Sequence, residues 1–275
     1  MKIVVGVVLY RNSIDEVAFF MKSLEVAEGY LRKHFPDLEV GVYFWNNGES
    51  GSEFFSTLKV RTTLAFEWQK SEENIGFGRA HNRLMQRAFD ENDAVAYVAA
   101  NPDGFFHYRC LAELYELSLK QDHGAMIEAR QQPCELAKYY DLETLETGWC
   151  SGACLWIPPV VFGETNGFDE NIFLYSEDVD LSWRARLAGI KTLFCPTAWF
   201  YCSASERIDL PNREKEFLLS GRYVAYRWGN VKGARGVEKR LFKKELIRDK
   251  SELPAKPEQL FEAGANPLIE HQNRW

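Results

Sequence analysis

The 275-residue sequence has no apolar run of about eighteen residues, the length a helix needs to cross a bilayer, so no transmembrane helix is expected. It also lacks a basic excess: 33 Lys and Arg stand against 40 Asp and Glu, a formal net charge of −7. General nucleic-acid binding needs a basic surface that displaces counterions from phosphates, so no nucleic-acid partner is expected. Among the six cysteines no two closely spaced pairs occur, which argues against a zinc site. The opening Met1-Lys2 leads straight into a short β-branched run and has no signal-peptide pattern. Reduced thiols in a cytoplasmic protein follow, with attachment to the inner face of a membrane left open. No internal repeat or low-complexity segment is visible.

What the sequence does contain is an alternation of strands and helices. Residues 3–10 form a continuous apolar run, as in a strand buried on both faces. Ser13-Ile-Asp-Glu16 reads as a capping box, and Val17, Phe20, Met21, Leu24 and Leu31 then fall on one helical face. Strands are predicted over 38–45, 64–68, 94–100 and 124–129, with helices over 78–91 and 111–119. This predicts an α/β layered fold with a largely parallel sheet. Beyond residue 130 the pattern loosens. A loop is expected over 130–149, a strand over 151–157, a helix from about Glu177 and a short strand over 191–195. From Leu210 the chain turns helical and basic, with Lys232, Arg235, Lys239, Arg240, Lys243, Lys244 and Arg248. A solvated helical face is the commoner meaning of such a run; a membrane surface or an anionic acceptor is the other. Residues 1–209 are read as one domain and 210–275 as a helical extension packed on it, ending in a Pro-punctuated tail from residue 254.

Four polar segments can meet at the carboxyl edge of such a sheet, where open α/β folds bind ligands. Tyr10-Arg11-Asn12 ends the first strand and Asn46-Asn47-Gly48 the second, while Asn101-Pro102-Asp103 follows the fourth. Each alone is also an ordinary turn. Asp103 suits a hard cation such as Mg²⁺ or Mn²⁺, which one or two carboxylates hold together with substrate phosphates. Asn74-Ile-Gly-Phe-Gly-Arg-Ala-His-Asn82 puts glycines before a helix whose polar face carries Arg79, Asn82 and Arg83, suited to an anion or a sugar. His81 borders the apolar face and reads as structural.

The densest cluster is Gly167-Phe-Asp-Glu-Asn-Ile-Phe-Leu-Tyr-Ser-Glu-Asp-Val-Asp-Leu-Ser-Trp-Arg184. Glu177, Asp178 and Asp180 open a helix, where the dipole favours them. Asp180 and Arg184 are spaced to pair, leaving Asp178 as the candidate base. A helix N-terminus weakens a base, so the position must be partly desolvated.

In this order and spacing the segments resemble glycosyltransferase family two, with the α/β GT-A fold (a Rossmann-like nucleotide-binding half and a mixed central sheet), and within it bacterial surface-polysaccharide enzymes including rhamnosyltransferase-like members. The likeness runs from Val4 to about Pro196, and a weaker echo continues at Ser220-Gly-Arg-Tyr-Val-Ala-Tyr-Arg-Trp-Gly229. The resemblance implies an inverting transferase using a nucleoside-diphosphate sugar, dTDP- or UDP-linked, with a glycan or lipid-linked glycan acceptor. Val8, Tyr10, Arg11, Asn46 and Asn47 would hold the nucleotide. The glycine-rich segment (Asn74, Gly76, Arg79, Asn82) and Asn101 would complete the donor site. Asp103 would bind Mg or Mn, Asp178 would be the general base, and Trp149, Gly152 and Glu177 would lie on the acceptor side.

Three departures from the family pattern matter. Asn46-Asn47 stands where Asp-Asn is common, and Asn101 replaces the first acid of the metal motif. No histidine occurs between His123 and His271, where many relatives place one a few residues after the proline matching Pro196. A second expectation is therefore a degenerate, non-enzymatic member that binds a sugar nucleotide or glycan as a scaffold. A third is a nucleotidyltransferase, disfavoured because no glycine- and basic-rich loop follows the first strand.

Overall fold

A computed structural model describes residues 1–48, 51–91, 94–133, 138–202 and 210–262. Cys134 and the end of the expected C-terminal tail lie outside these. The first strand, β1 (Lys2–Leu9), leads into α1 (Ile14–His34). The predicted capping box is formed: Ser13 Oγ accepts from the Glu16 N–H and the Glu16 carboxylate accepts from the Ser13 N–H. There follow β2 (Glu39–Asn46), α2 (Ser52–Lys59), β3 (Phe66–Lys70), α3 (Phe77–Asp90), β4 (Ala94–Ala100) and β5 (Gly104–Phe106). The chain continues through α4 (Cys110–Leu119), β6 (Met126–Gln132), β7 (Cys154–Ile157), α5 (Pro159–Thr165), α6 (Glu177–Leu187) and β8 (Thr192–Cys202). Helices α7 (Leu210–Arg227) and α8 (Val231–Lys243) come last.

The strands form one sheet in the order β3-β2-β1-β4-β7-β6-β8-β5. Its first four strands are parallel, so their carboxyl ends share one edge. The rest is mixed: β7 runs antiparallel to β4 and β6, β8 is parallel to β6, and β5 is antiparallel to β8. The sheet is thus parallel through its first four strands, as the strand–helix alternation predicts, and mixed as a whole, as the GT-A resemblance implies.

Alternation along the strands feeds two cores. Ile3, Val5 and Val7 of β1 point with Val42 and Phe44 toward α1, α2 and α4, while Val4, Tyr43, Tyr97 and Ala99 point toward Leu84, Met85 and Ala88 of α3 and Leu181 of α6. Gly6 is required by packing: a Cβ there would lie 1.7 Å from the Tyr97 hydroxyl, which meets His81 Nδ1 at 2.6 Å. His81 is fully buried, and desolvation lowers its pKa to about 3, which keeps the ring neutral and fits the structural role read for it.

The expected short strand at 191–195 is the start of an eleven-residue strand. Pro196 resembles a stop, but the register jumps from Ala129↔Cys195 to Arg130↔Trp199, so the proline sits in a bulge and the ladder resumes beyond it. The stretch expected to be a loop, 130–149, likewise contributes the end of β6 and two isolated bridges, Tyr140↔Thr147 and Glu146↔Leu193. Helix α7 joins a third core in which Tyr223, Val224 and Trp228 pack with Trp149, Ile172, Val179 and Trp183.

Candidate active site

The predicted segments at the carboxyl edge are linked by contacts running from one to the next. Arg11, with φ 57°, turns the chain out of β1, and the place of a Gly48 Cβ lies 3.4 Å from its amide nitrogen. At the end of β2, Asn46 Oδ1 accepts from the Gly48 N–H at 3.0 Å, making a tight Asx turn. Asn47 reaches across to the glycine-rich segment: its Nδ2 donates to the Gly76 carbonyl at 2.9 Å, and its Oδ1 accepts from Trp45 Nε1 at 3.0 Å and from the Ile75 N–H at 3.3 Å. Asn74 Oδ1 accepts from the Gly76 N–H at 2.9 Å.

Gly76, with φ +88°, is a glycine out of necessity, because a Cβ would stand 2.4 Å from the Phe173 carbonyl oxygen. That carbonyl accepts from the Phe77 N–H at 3.0 Å, so the first amide of α3 is already satisfied from within the chain. The expected anion site at this helix start is therefore partly closed by Phe173.

From Phe77 the contacts continue to the acidic cluster. A Cβ on Gly152 would lie 3.3 Å from the Phe77 ring and 3.6 Å from Asp178 Cβ. The Gly152 N–H donates to Asp178 Oδ2 at 2.9 Å, while Asp178 Oδ1 accepts from the Val179 N–H at 2.8 Å. One residue on, the Ala153 carbonyl accepts from the Asn101 N–H at 2.9 Å, and the Gly104 N–H donates back to the Asn101 carbonyl at 3.2 Å. This turn carries Asp103, which is half-buried. Asp178 is partly buried, the desolvated placement that a base requires.

Two buried carboxyls flank Asp178. Glu177 is 5% exposed, and its Oε2 has no hydrogen-bond partner. Desolvation, with the charge of Asp178 added, pushes its pKa up to about 8. Glu128, on β6, accepts from the Ser151 N–H at 2.7 Å and pairs with Lys138, whose Nζ also donates to the Trp149 carbonyl at 2.9 Å. Burial raises the Glu128 pKa and Lys138 opposes the shift. Glu128 and Asp178 thus grip consecutive amides, those of Ser151 and Gly152. Sequence reading missed both Glu128 and Lys138, which lie in a stretch without a motif.

Several expected ligand residues are committed to the scaffold. Asn82 is buried, with Oδ1 accepting from the Phe168 N–H at 2.8 Å and Nδ2 donating to the Phe168 carbonyl at 2.9 Å. Its amide ties α3 to the loop before α6. Asn47 likewise has both side-chain ends engaged within the chain. Arg79 is exposed and donates from Nε to the Glu170 carbonyl at 2.6 Å. Trp149 is 1% exposed, with Lys138 Nζ 4.3 Å from its ring centroid, so the indole lies in the core and not on an open acceptor surface. Val8 is inside β1. Tyr10 is exposed at the mouth.

Asp180 behaves as its spacing predicts. Fully buried, it pairs with Arg184 Nε at 2.7 Å and accepts from Trp228 Nε1 at 3.0 Å. Arg227 Nε lies 2.9 Å from it, a charge contact without hydrogen-bond alignment. Arg184 then clamps the Thr165 and Gly167 carbonyls at 2.6 and 2.7 Å.

Two concavities of the surface lie elsewhere. One, about 670 Å³, is lined by Trp45, Gln69, Arg83 and Arg87 beside α3; the other, about 680 Å³, by Asp169, Arg227 and Lys256 behind α6. Neither includes Asp178 or Asp103. Among the described residues no group of three or more His, Cys, Asp or Glu is arranged to hold a metal, and no helix is long and apolar enough to cross a membrane.

No protein-family model matches the chain. A 51-residue stretch, 18% of this chain, is 47% identical to N-acetylglucosaminyl-diphospho-decaprenol L-rhamnosyltransferase of Mycobacterium tuberculosis. That match spans only 17% of the relative's length. Among solved structures, a mannosyltransferase of Pyrobaculum calidifontis in complex with GDP-Man and Mn²⁺ superposes with a TM-score of 0.61 at 15% identity, over 90% of this chain and 76% of that one. Residues 1–349 of S. aureus TarS in complex with UDP-GlcNAc superpose with a TM-score of 0.55 at 16% identity, over 82% and 66%. The mixed sheet, parallel over β3-β2-β1-β4, is thus the GT-A fold of these glycosyltransferases, and the chain carries within it a segment similar to rhamnosyltransferases.

Proposed function

We propose that the chain is an inverting glycosyltransferase that moves one sugar from a dTDP- or UDP-linked donor to a hydroxyl of a glycan or lipid-linked glycan. The observation that carries this reading is the placement of Asp178. It is partly buried at the start of α6 and fixed by the Gly152 and Val179 amides, and Ala153, next to Gly152, accepts from the first amide of the Asn101–Asp103 turn. In the proposed reaction Asp178 takes the proton of the acceptor hydroxyl as that oxygen attacks the anomeric carbon. The bond from that carbon to the diphosphate oxygen breaks on the opposite face, and the nucleoside diphosphate leaves with the electron pair. The rhamnosyltransferase segment and the nucleotide-sugar complexes of the structural neighbours support the donor class.

Tyr10, Arg11 and the Asn46 turn offer the donor's nucleoside a surface between the first two strand ends. Asp103 supplies one hard oxygen, which fits a divalent cation that enters with the donor and takes its other ligands from the diphosphate and water. When bound, the metal would supply Lewis-acid stabilisation of the departing diphosphate. Residues 1–209 would form the catalytic unit, with 210–275 as a helical extension on it.

The test is a thermal-shift screen of nucleotide sugars and free nucleoside diphosphates, with and without Mn²⁺ or Mg²⁺, followed by turnover with the selected donor. A ligand of the folded state raises its apparent stability by mass action. A shift with one nucleotide, together with turnover that Asp178→Asn abolishes, supports the transferase. Donor binding without turnover across a broad acceptor panel assigns the chain to the scaffold reading, and consumption of a nucleoside triphosphate assigns it to nucleotidyl transfer.

A further inference from the structure

Helix α8 packs Ala234, Val237 and Leu241 inward against α7 and carries an unbalanced charge outward. Lys232, Arg235, Lys239 and Lys243 are all exposed and follow one another in steps of three, four and four residues, so they form one stripe along the helix. None of the four makes an ion pair among the described residues. The one acid within α8, Glu238, faces away from the stripe: it pairs with Arg222 Nε at 2.7 Å and accepts from the Tyr226 hydroxyl at 3.0 Å. Elsewhere exposed cations do meet acids, as Lys22 meets Glu25, Arg32 meets Glu28 and Arg61 meets Asp15. In α8 the i,i+4 neighbours 235, 239 and 243 have like charge, an arrangement that by itself disfavours the helix. This stripe lies on a chain whose net charge is −7.

We propose that the exposed stripe of α8 docks the protein on an anionic lipid surface. Charge complementarity selects an anionic partner, and the shape of the patch selects among anionic partners. The stripe is a ridge on the outer face of α8, of three lysines and one arginine, with no aromatic residue among them to stack a base. A long soluble polyanion would also run over the acidic remainder of the molecule, whereas a flat bilayer meets the ridge alone. Juxtamembrane basic clusters bind anionic headgroups in this way, each residue adding about a fivefold factor in partition and all of it screened by salt. The end of the helix is tied through α7 to the segment before Asp178: Glu214 of α7 holds Arg240 at 2.9 Å and Lys244 at 2.7 Å, and the adjacent Arg213 donates to the Tyr175 hydroxyl at 3.1 Å, three residues before Asp178. The docking stands without the transferase reading.

The experiment is co-sedimentation of the full chain with phosphatidylcholine vesicles, with and without phosphatidylglycerol, at low and high salt. The wild type is compared with Lys232→Gln/Arg235→Gln/Lys239→Gln/Lys243→Gln, with the milder Arg235→Gln/Lys239→Gln, and with a control, Lys22→Gln/Arg32→Gln, on α1. Glutamine is a good helix former and all four sites are exposed, so circular dichroism should match the wild type. Binding should require phosphatidylglycerol, fall with salt, drop by about tenfold or more in the quadruple variant and partly in the double, and persist in the control. Failure to bind at low salt, equal binding to both lipids, or binding undiminished in both stripe variants overturns the proposal. Capture by RNA or polyglutamate with vesicles left unbound overturns it as well, and gives the stripe to a soluble polyanion. Nucleotide thermal shifts on the same variants without lipid report on the donor site separately.

Discussion

The Gly152 amide and the Asp178 carboxylate meet at 2.9 Å, across a gap that a Cβ on Gly152 would narrow. The bond aims the carboxylate at the carboxyl edge of β4, where the adjacent Ala153 carbonyl receives the Asn101 amide. Asparagine at 178 has the same shape and keeps one acceptor oxygen for one of the two N–H groups, but takes no proton. Asp178→Asn should therefore fold normally, bind donor nucleotide with unchanged affinity and lose about 10²–10⁴ in kcat, the usual span of general-base catalysis. Turnover retained within a few fold, measured by release of nucleoside diphosphate, would remove Asp178 from the mechanism.

Glu177 makes stability depend on pH. Its folded pKa of about 8 lies above the ordinary value of 4.5, so between these the folded state holds a proton that the unfolded chain has released. Stability then falls as pH rises through this window, and the contribution of Glu177 is fully present only below pH 4.5. Glu128, raised in the same direction, adds to the trend. Glu177→Gln mimics the protonated form; its denaturation midpoint should change less from pH 5 to 8 than the wild type's and exceed it at pH 8. A wild-type midpoint rising over this range would contradict the shift.

At Asp180 one buried carboxylate balances Arg184 and Arg227 and accepts from Trp228. Removing it leaves two guanidinium groups beside an emptied, water-poor site. Breaking a buried pair this way costs about 3–5 kcal/mol. Asp180→Ala should show that loss in urea denaturation, and Asp180→Asn, which fills the space and keeps one acceptor oxygen, a smaller one. A loss below about 1 kcal/mol would mean that the cluster is solvated, as surface pairs are.

The sequence revealed most where local and global signals agreed. The capping box at Ser13, the apolar β1 run and the Asp180–Arg184 spacing each had a local cause, and all three recur in the structure. Helix α2, strand β5 and helix α5 were not legible. Each is short, and β5 is a three-residue edge strand that exists only through its pairing with β8. The strand expected over 191–195 continues to Cys202 because a proline that would stop an isolated strand is absorbed by a bulge when β6 continues alongside. In the site, residue type indicated polarity and not direction. Asn47 and Asn82 were read as donor-site amides; each engages backbone groups remote in sequence, Gly76 and Phe168, and no local pattern reveals which way an amide faces. Glu128 and Lys138 stayed hidden for the same reason, since they pair through the meeting of β6 with the 138–152 segment.

Asn82 offers a direct test of whether that segment serves the scaffold or the ligand. Both ends of its amide bind the Phe168 backbone, 86 residues away. Asn82→Ala would leave a buried N–H and a buried carbonyl unpaired, each costing about 1–3 kcal/mol. Gly167, packed at φ +77° with its Cβ position 2.3 Å from Asn82 Oδ1, leaves no room for a larger replacement there. The variant should therefore be less stable by about 2–4 kcal/mol, while the donor-induced thermal shift, taken relative to its own lower midpoint, stays at the wild-type size. The opposite pattern, near wild-type stability with the nucleotide shift abolished, would return Asn82 to the donor site.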